Sequence, residues 1–197
     1  MNNCYYRLNI DVSNALKPDW KQQCVTFDVT GKYGVWQPPS NLIFNQEWLV
    51  YMGSIGLPIV NAMIFYRGSH AHTVDGHIDV STAEPFRIHN FGINWCVGGK
   101  NSEMVWYELP PNAKEKITYT RVNTPYVSWP LKELKEVERC HIDKQVTLVK
   151  TGLPHAIVMG EEPRWCFSAR TFIPNDMPWE KVVDLMRSKN ILVERSL

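Results

Sequence analysis

Strand-length apolar runs, cut apart by turn residues and flanked by helix-like patterning mainly at the two ends, predict a mainly β fold of the barrel or jelly-roll kind. Three observations carry this expectation. The segments Pro58 to Tyr66, Phe86 to Val97 and Arg164 to Phe172 are rich in Ile, Val, Phe and Trp. Turn signals bound them, as in Gly98-Gly99-Lys100-Asn101-Ser102 after the second and Gly160-Glu161-Glu162-Pro163 before the third. The chain has 197 residues, which suits one domain (1–197) with a single substantial core.

Taken in order, Tyr5 to Val12 alternates and reads as a strand. Pro38-Pro39 marks a loop. Asn45 to Met52 reads as a short helix capped by Asn45 and ended by Gly53 and Gly56. Pro58 to Tyr66 is a buried strand, Gly76 to Val80 another, and Phe86 to Val97 a third. The glycine-rich turn joins that strand to Glu103 to Leu109 as a hairpin. Ile117 to Arg121 is a further strand, and Leu131 to Arg139 a short charged helix. Gln145 to Lys150, His155 to Val158 and Arg164 to Phe172 are strands, the last two forming a second hairpin. Pro178 opens a terminal helix to about Ser188, whose Val182, Val183, Leu185 and Met186 suit packing on a sheet.

Composition narrows the function classes. An aromatic fraction of 12% argues against disorder, and a net charge of +1 gives no field for recruiting nucleic acid. The five cysteines (4, 24, 96, 140 and 166) contain no C-x-x-C pair, against a zinc ribbon or a disulfide framework. Cys96 and Cys166 lie in apolar runs, where thiols act as small buried hydrophobes. No leader-like start and no run of membrane-spanning length is present, so a soluble protein of a reducing cytoplasm is expected.

The chemistry concentrates at His77-Ile78-Asp79, His155 and Arg164. On a strand, residues two apart share a face, so His77 and Asp79 can both point inward. Two imidazoles and one carboxylate suit a divalent iron or manganese ion and leave coordination positions open. His155, on a later strand, would complete the set. Arg164, Cys166, Ser168 and Arg170 share parity, and an inward guanidinium calls for an anionic partner. A second H-x-D, His141-Ile142-Asp143, falls between a charged helix and a strand and reads as a surface loop. His70 and His72 precede Asp75 in a loop leading to the metal strand, and His89 reads as a satisfied sheet histidine.

On these residues the chain resembles the 2-oxoglutarate/Fe(II)-dependent dioxygenase superfamily. The pattern is H-x-D (His77, Asp79), a distal His155 and a basic Arg164. The stretch Pro154 to Val158, a turn, Pro163-Arg164 and Phe167-Ser168 is similar to the ending of prolyl-hydroxylase-like and aspartyl/asparaginyl-hydroxylase-like members. The resemblance covers roughly residues 58–172, the expected barrel core. It implies a double-stranded β-helix (a cupin-like jelly roll) with a few supporting helices at its ends. It implies Fe(II) on His77, Asp79 and His155, with O2 and 2-oxoglutarate as co-substrates. Arg164 would grip the distal carboxylate; Arg170 would assist it or stabilise the last strand, and Asn94 would bond the co-substrate or serve as an ordinary strand residue. Succinate, CO2 and a hydroxylated substrate would be the products. The resemblance leans toward an amino-acid or peptide side chain as substrate. Trp95, Trp106 and Tyr107 could wall a pocket or simply pack the core.

Two other readings stay open. A cupin-type metalloenzyme independent of 2-oxoglutarate would use His70, His72 and His155. A non-catalytic barrel would bind a ligand or partner and need no complete metal set.

Overall fold

The computed structural model describes residues 3–24, 31–71, 75–80, 87–114, 116–119 and 125–194. The protein is mainly β, with two antiparallel sheets. The larger has the order β13 (Leu192–Val193), β1 (Tyr5–Leu8), β10 (Thr147–Lys150), β5 (Phe91–Gly98), β12 (Arg164–Thr171), β3 (Ile59–Arg67), β2 (Tyr33–Trp36). The smaller runs β7 (Lys116–Tyr119), β8 (Pro125–Trp129), β4 (Gly76–Asp79), β11 (His155–Val158), β6 (Glu103–Glu108), β9 (Lys135–His141). From β3 to β6, and again from β9 to β12, the chain changes sheet at every step.

Alternation along the strands explains how both faces of the larger sheet are used. Its outer face carries Ile64, Trp95, Leu148 and Phe167. These pack under α2 (Gln46–Ser54) and α3 (Trp179–Ser188), which contribute Trp48, Met52, Val182 and Met186. Phe167 is fully buried there, worth about 1.5–3 kcal/mol relative to exposure. The inner face meets the smaller sheet through Cys96, Val149 and Cys166 against Met104, Trp106 and Ile157. Trp106 stacks on Tyr5 at 5.8 Å and donates its indole N–H to the Lys150 carbonyl at 2.7 Å. A small third cluster of Val105, Tyr107 and Ala156 lies on the far side of the smaller sheet.

Several expectations need correction. Glu103–Glu108 does not pair with Phe91–Gly98, and Arg164–Thr171 does not pair with His155–Val158. The turns between them carry the chain across to the opposite sheet, so neither pair is a hairpin. Gly98 and Gly99 there take φ of +74° and +77°, which suits glycine. The charged segment 131–139 is not a helix. It is a 3-10 turn at Leu131–Glu133 followed by edge strand β9. Charges on both faces are tolerated there because one edge and one face meet water. Asn45 makes no side-chain cap; its amide donates instead to the Asn14 and Leu16 carbonyls. Gly53 lies inside α2, and Gly56 at φ +75° follows its end. The first strand ends at Leu8. Strands β2 and β8 and the short helix α1 (Ser40–Ile43) were not expected. The expected strand start at Phe86 and end at Arg121 lie outside the described residues.

Candidate metal centre

Strand β4 holds His77 and Asp79 on one face, and β11 pairs with it so that His155 sits directly opposite His77. One ligand atom from each of the three lies within 4.8 Å of the others. The imidazole rings are 4.5 Å apart, and His77 Nε2 stands 4.0 Å from Asp79 Oδ1. Bonds of about 2.0–2.2 Å to one ion would draw neighbouring ligand atoms to about 3–3.6 Å, so the set closes on an ion with side-chain shifts of about 1 Å. His155 Nδ1 donates to the Leu153 carbonyl at 3.0 Å, and His77 Nδ1 faces the Asp75 carbonyl at 3.3 Å. Both contacts hold the proton on Nδ1 and leave the Nε2 lone pair for an ion. The donor set therefore fits a divalent, nitrogen- and oxygen-preferring metal.

Electrostatics favour the ligating forms. Burial, followed by the neighbouring His155, pushes His77 down to about 3, keeping it neutral. Burial alone would raise Asp79, but His155, His77 and Arg170 outweigh it and hold the carboxyl below its usual value. Arg170 Nη2 lies 3.9 Å from Asp79 Oδ2, and its Nη1 donates to the Phe91 carbonyl at 3.4 Å. Tyr126, opposite Asp79 on β8, meets the His77 ring edge-on at 5.3 Å.

Across the interior, β12 aligns Arg164, Cys166, Ser168 and Arg170 on one face, as parity predicts. Arg164 is 4% exposed. It shares its face with Cys166, whose cross-strand partner on β5 is Cys96, and the two thiols favour its charged form against the effect of burial. A hydrogen bond from Cys96, reinforced by the Arg164 charge, brings Cys166 down to about 7 against the opposing effect of burial. These cysteines are buried but not bland. Gly99 makes room for the arginine: a Cβ there would stand 2.8 Å from Arg164 Cγ. Asn94 faces the same interior opposite Ser168, and its Oδ1 is buried without a hydrogen-bond partner.

The sequence reading missed Arg67. It pairs in register with Arg164, placing a second guanidinium on the inner face. Its Nη1 is buried and makes no hydrogen bond. Burial and the adjacent Arg164 charge push it down to about 10. The available signal was parity: Arg67 continues Asn61, Met63 and Phe65 along β3, one residue past the end of the apolar run.

The remaining candidates sit elsewhere. His70 is exposed at φ +53°, and His72 lies outside the described residues. His141 Nδ1 contacts the Ser102 carbonyl at 2.6 Å, and Asp143 pairs with Arg7 at 3.4 Å, so this second H-x-D has structural partners. His89 donates its backbone N–H to the Asp79 carbonyl, beside the centre. Trp95 and Tyr107 point away from the interior, while Trp106 lies within it. Among the described residues no helix is long and apolar enough to cross a membrane.

No protein-family model matches this chain, and no curated protein matches it. The functional reading accordingly rests on the residues and their geometry.

Proposed function

We propose that this protein is a non-haem Fe(II) dioxygenase that uses 2-oxoglutarate to hydroxylate an unactivated C–H bond. One observation carries the reading: a compact His77–Asp79–His155 set lies on one sheet, facing the buried Arg164 and two half-buried arginines on the other. The alternation of consecutive strands between sheets supports a double-stranded β-helix as the finer description of the fold. His77 and His155 would hold the ion through Nε2, and Asp79 through its carboxylate. Bound there, iron would couple reduction of dioxygen to oxidative decarboxylation of the 2-oxo acid and oxidation of the substrate.

The chain's own groups do the positioning. Arg164 offers a rigid fork to the far carboxylate of the co-substrate, in a buried setting where a charge-assisted contact is strong. Gly99 and the two thiols hold that fork in place. Arg170 orients Asp79, and the free Asn94 Oδ1 can accept a hydrogen bond inside the chamber. The apolar walls of Met104, Trp106 and Ile157 exclude water from one side. By the same resemblance, the substrate is read as an amino-acid or peptide side chain.

The cupin-type alternative finds less support, because His70 is exposed in a turn and does not join the group formed by His77, Asp79 and His155. The test is anaerobic titration of Fe(II)-loaded protein with 2-oxoglutarate, watching for the weak visible charge-transfer band of the chelate. Its appearance, and its weakening in Arg164→Met, supports the proposal. Iron binding without the band removes 2-oxoglutarate from it. Absence of any divalent-metal binding leaves a barrel used for recognition.

A further inference from the structure

We propose that Arg67 is a second anion-binding position, distinct from Arg164, and that it receives a carboxylate of the primary substrate. The inference rests on the 2-oxo-acid reading above for the role of Arg164, and it adds the chemical class of the molecule to be oxidised.

The two arginines are neighbours in register on β3 and β12, yet their surroundings diverge. Arg164 pairs with Gly98 of β5 and shares its face with the cross-strand pair Cys166 and Cys96. The Arg67 guanidinium instead sits 5.8 Å from the ring centre of Tyr33, its partner on β2. Two guanidinium groups engaged toward opposite strands make two places for an anion rather than one clamp. Arg67 as a whole keeps some exposure, but its Nη1 is shut off from solvent and has no hydrogen-bond partner. A buried donor on a cation is costly unless an acceptor meets it.

The charge balance points the same way. Arg170 has Asp79 beside it, whereas among the described residues no carboxylate pairs with Arg67 or Arg164. A divalent ion and a dianionic co-substrate cancel each other, so they leave the balance of the chamber unchanged. An additional acidic group offsets part of the remaining excess. A flat carboxylate suits the position because it matches the planar fork of arginine. The place is also right for a substrate. Arg67 lies on the inner face of the larger sheet, opposite the sheet that carries His77, Asp79 and His155, so an acid held there can extend its remaining atoms toward that face.

The experiment uses Mn(II)-loaded protein saturated with 2-oxoglutarate, and [13C]acetate as the carboxylate probe, read by paramagnetic relaxation of the acetate carbons. Acetamide is the neutral control. The expected result is acetate relaxation well above that of acetamide. It should fall about tenfold or more in Arg67→Met, as loss of a charge-assisted contact implies, and be largely retained in Arg67→Lys. Circular dichroism and the melting temperature establish that each variant is folded. The inference is overturned if acetate relaxes no more than acetamide, or if Arg67→Met leaves its relaxation unchanged. It is also overturned if Arg67→Met weakens 2-oxoglutarate as much as Arg164→Met does, because the two arginines then share one carboxylate. Failure of 2-oxoglutarate itself to bind shows separately in the loading step and counts against the co-substrate reading. The Arg67 dependence of acetate relaxation still reports the anion position in that case.

Discussion

Replacing Arg164 with methionine removes a buried charge while keeping much of the side-chain volume. Arg164 is 4% exposed, and no carboxylate pairs with it among the described residues. Its neighbours include two thiols and a second cation, Arg67, which pairs with it in register. In the protein without ligand, the substitution exchanges the desolvation cost of a guanidinium against modest sulfur contacts. Apolar replacement of buried ionic groups is often neutral or stabilising, by up to about 1–4 kcal/mol. For a chain of this size each kcal/mol moves the melting temperature by about 2–4 °C. The expected result is a melting temperature unchanged or raised. Co-substrate affinity goes the opposite way. Losing a charge-assisted hydrogen bond costs about 1.5–3 kcal/mol, which is about 10- to 150-fold in the dissociation constant for 2-oxoglutarate. Scanning calorimetry of the ligand-free protein and anaerobic titration of the Fe(II) form read the two quantities. A variant that melts lower by the equivalent of about 3 kcal/mol, yet binds 2-oxoglutarate normally, would refute the reasoning. Arg164 would then be a structural cation.

Other expectations follow from neighbouring residues. Asp79→Ala and His155→Ala should each lower Mn(II) affinity by more than the 10- to 100-fold typical of outer-shell changes, as measured by calorimetry; a double variant with native affinity would place the ion elsewhere. Burial holds both His77 and His89 below their usual value, so the folded state keeps them neutral where the unfolded chain takes up protons. Stability of the metal-free protein should therefore fall as pH drops below about 6.5. His89→Gln should reduce that slope in urea titrations, and an unchanged slope would show that His89 does not contribute. Trp106→Phe removes the donor to the Lys150 carbonyl in a fully buried setting, with an expected loss of about 1–3 kcal/mol in denaturant unfolding. No loss would mean that water or another donor replaces the indole.

Most of the inner strands were legible because their apolar patterning is a local property, whereas β2, β8, β9 and sheet membership were not. Residues 98–102 have every mark of a hairpin turn, and the glycines do adopt positive φ. Nothing local states that the following strand joins the opposite sheet. The 131–139 segment misled for a different reason. Glu136 and Arg139 are three apart, a helical spacing, and they do form an ion pair at 2.6 Å. A bulge in β9 opposite Trp106 and Tyr107 supplies the extra residue that returns both side chains to one face of a strand. The site was legible where its residues carry their own periodicity, as His77 with Asp79 and Arg164 with Arg170 do. Arg67 gains its meaning only from lying beside Arg164, a contact set by sheet register. Tyr126 was hidden likewise, in a proline-bracketed stretch that reads as a loop until β8 is seen to pair with β4.

The three candidate metal ligands all belong to the smaller sheet, while Arg67 and Arg164 belong to the larger. Packed sheets stand about 10 Å apart, held by the core between them. A ligand fastened to the ion at one end and to Arg164 at the other is thus measured by that gap, as by a ruler. Homologous 2-oxo diacids one methylene shorter or longer carry identical end groups. They would be sorted by length alone, and the fineness of the sorting would depend on how rigidly Trp106, Cys96 and Cys166 keep the two walls at their distance.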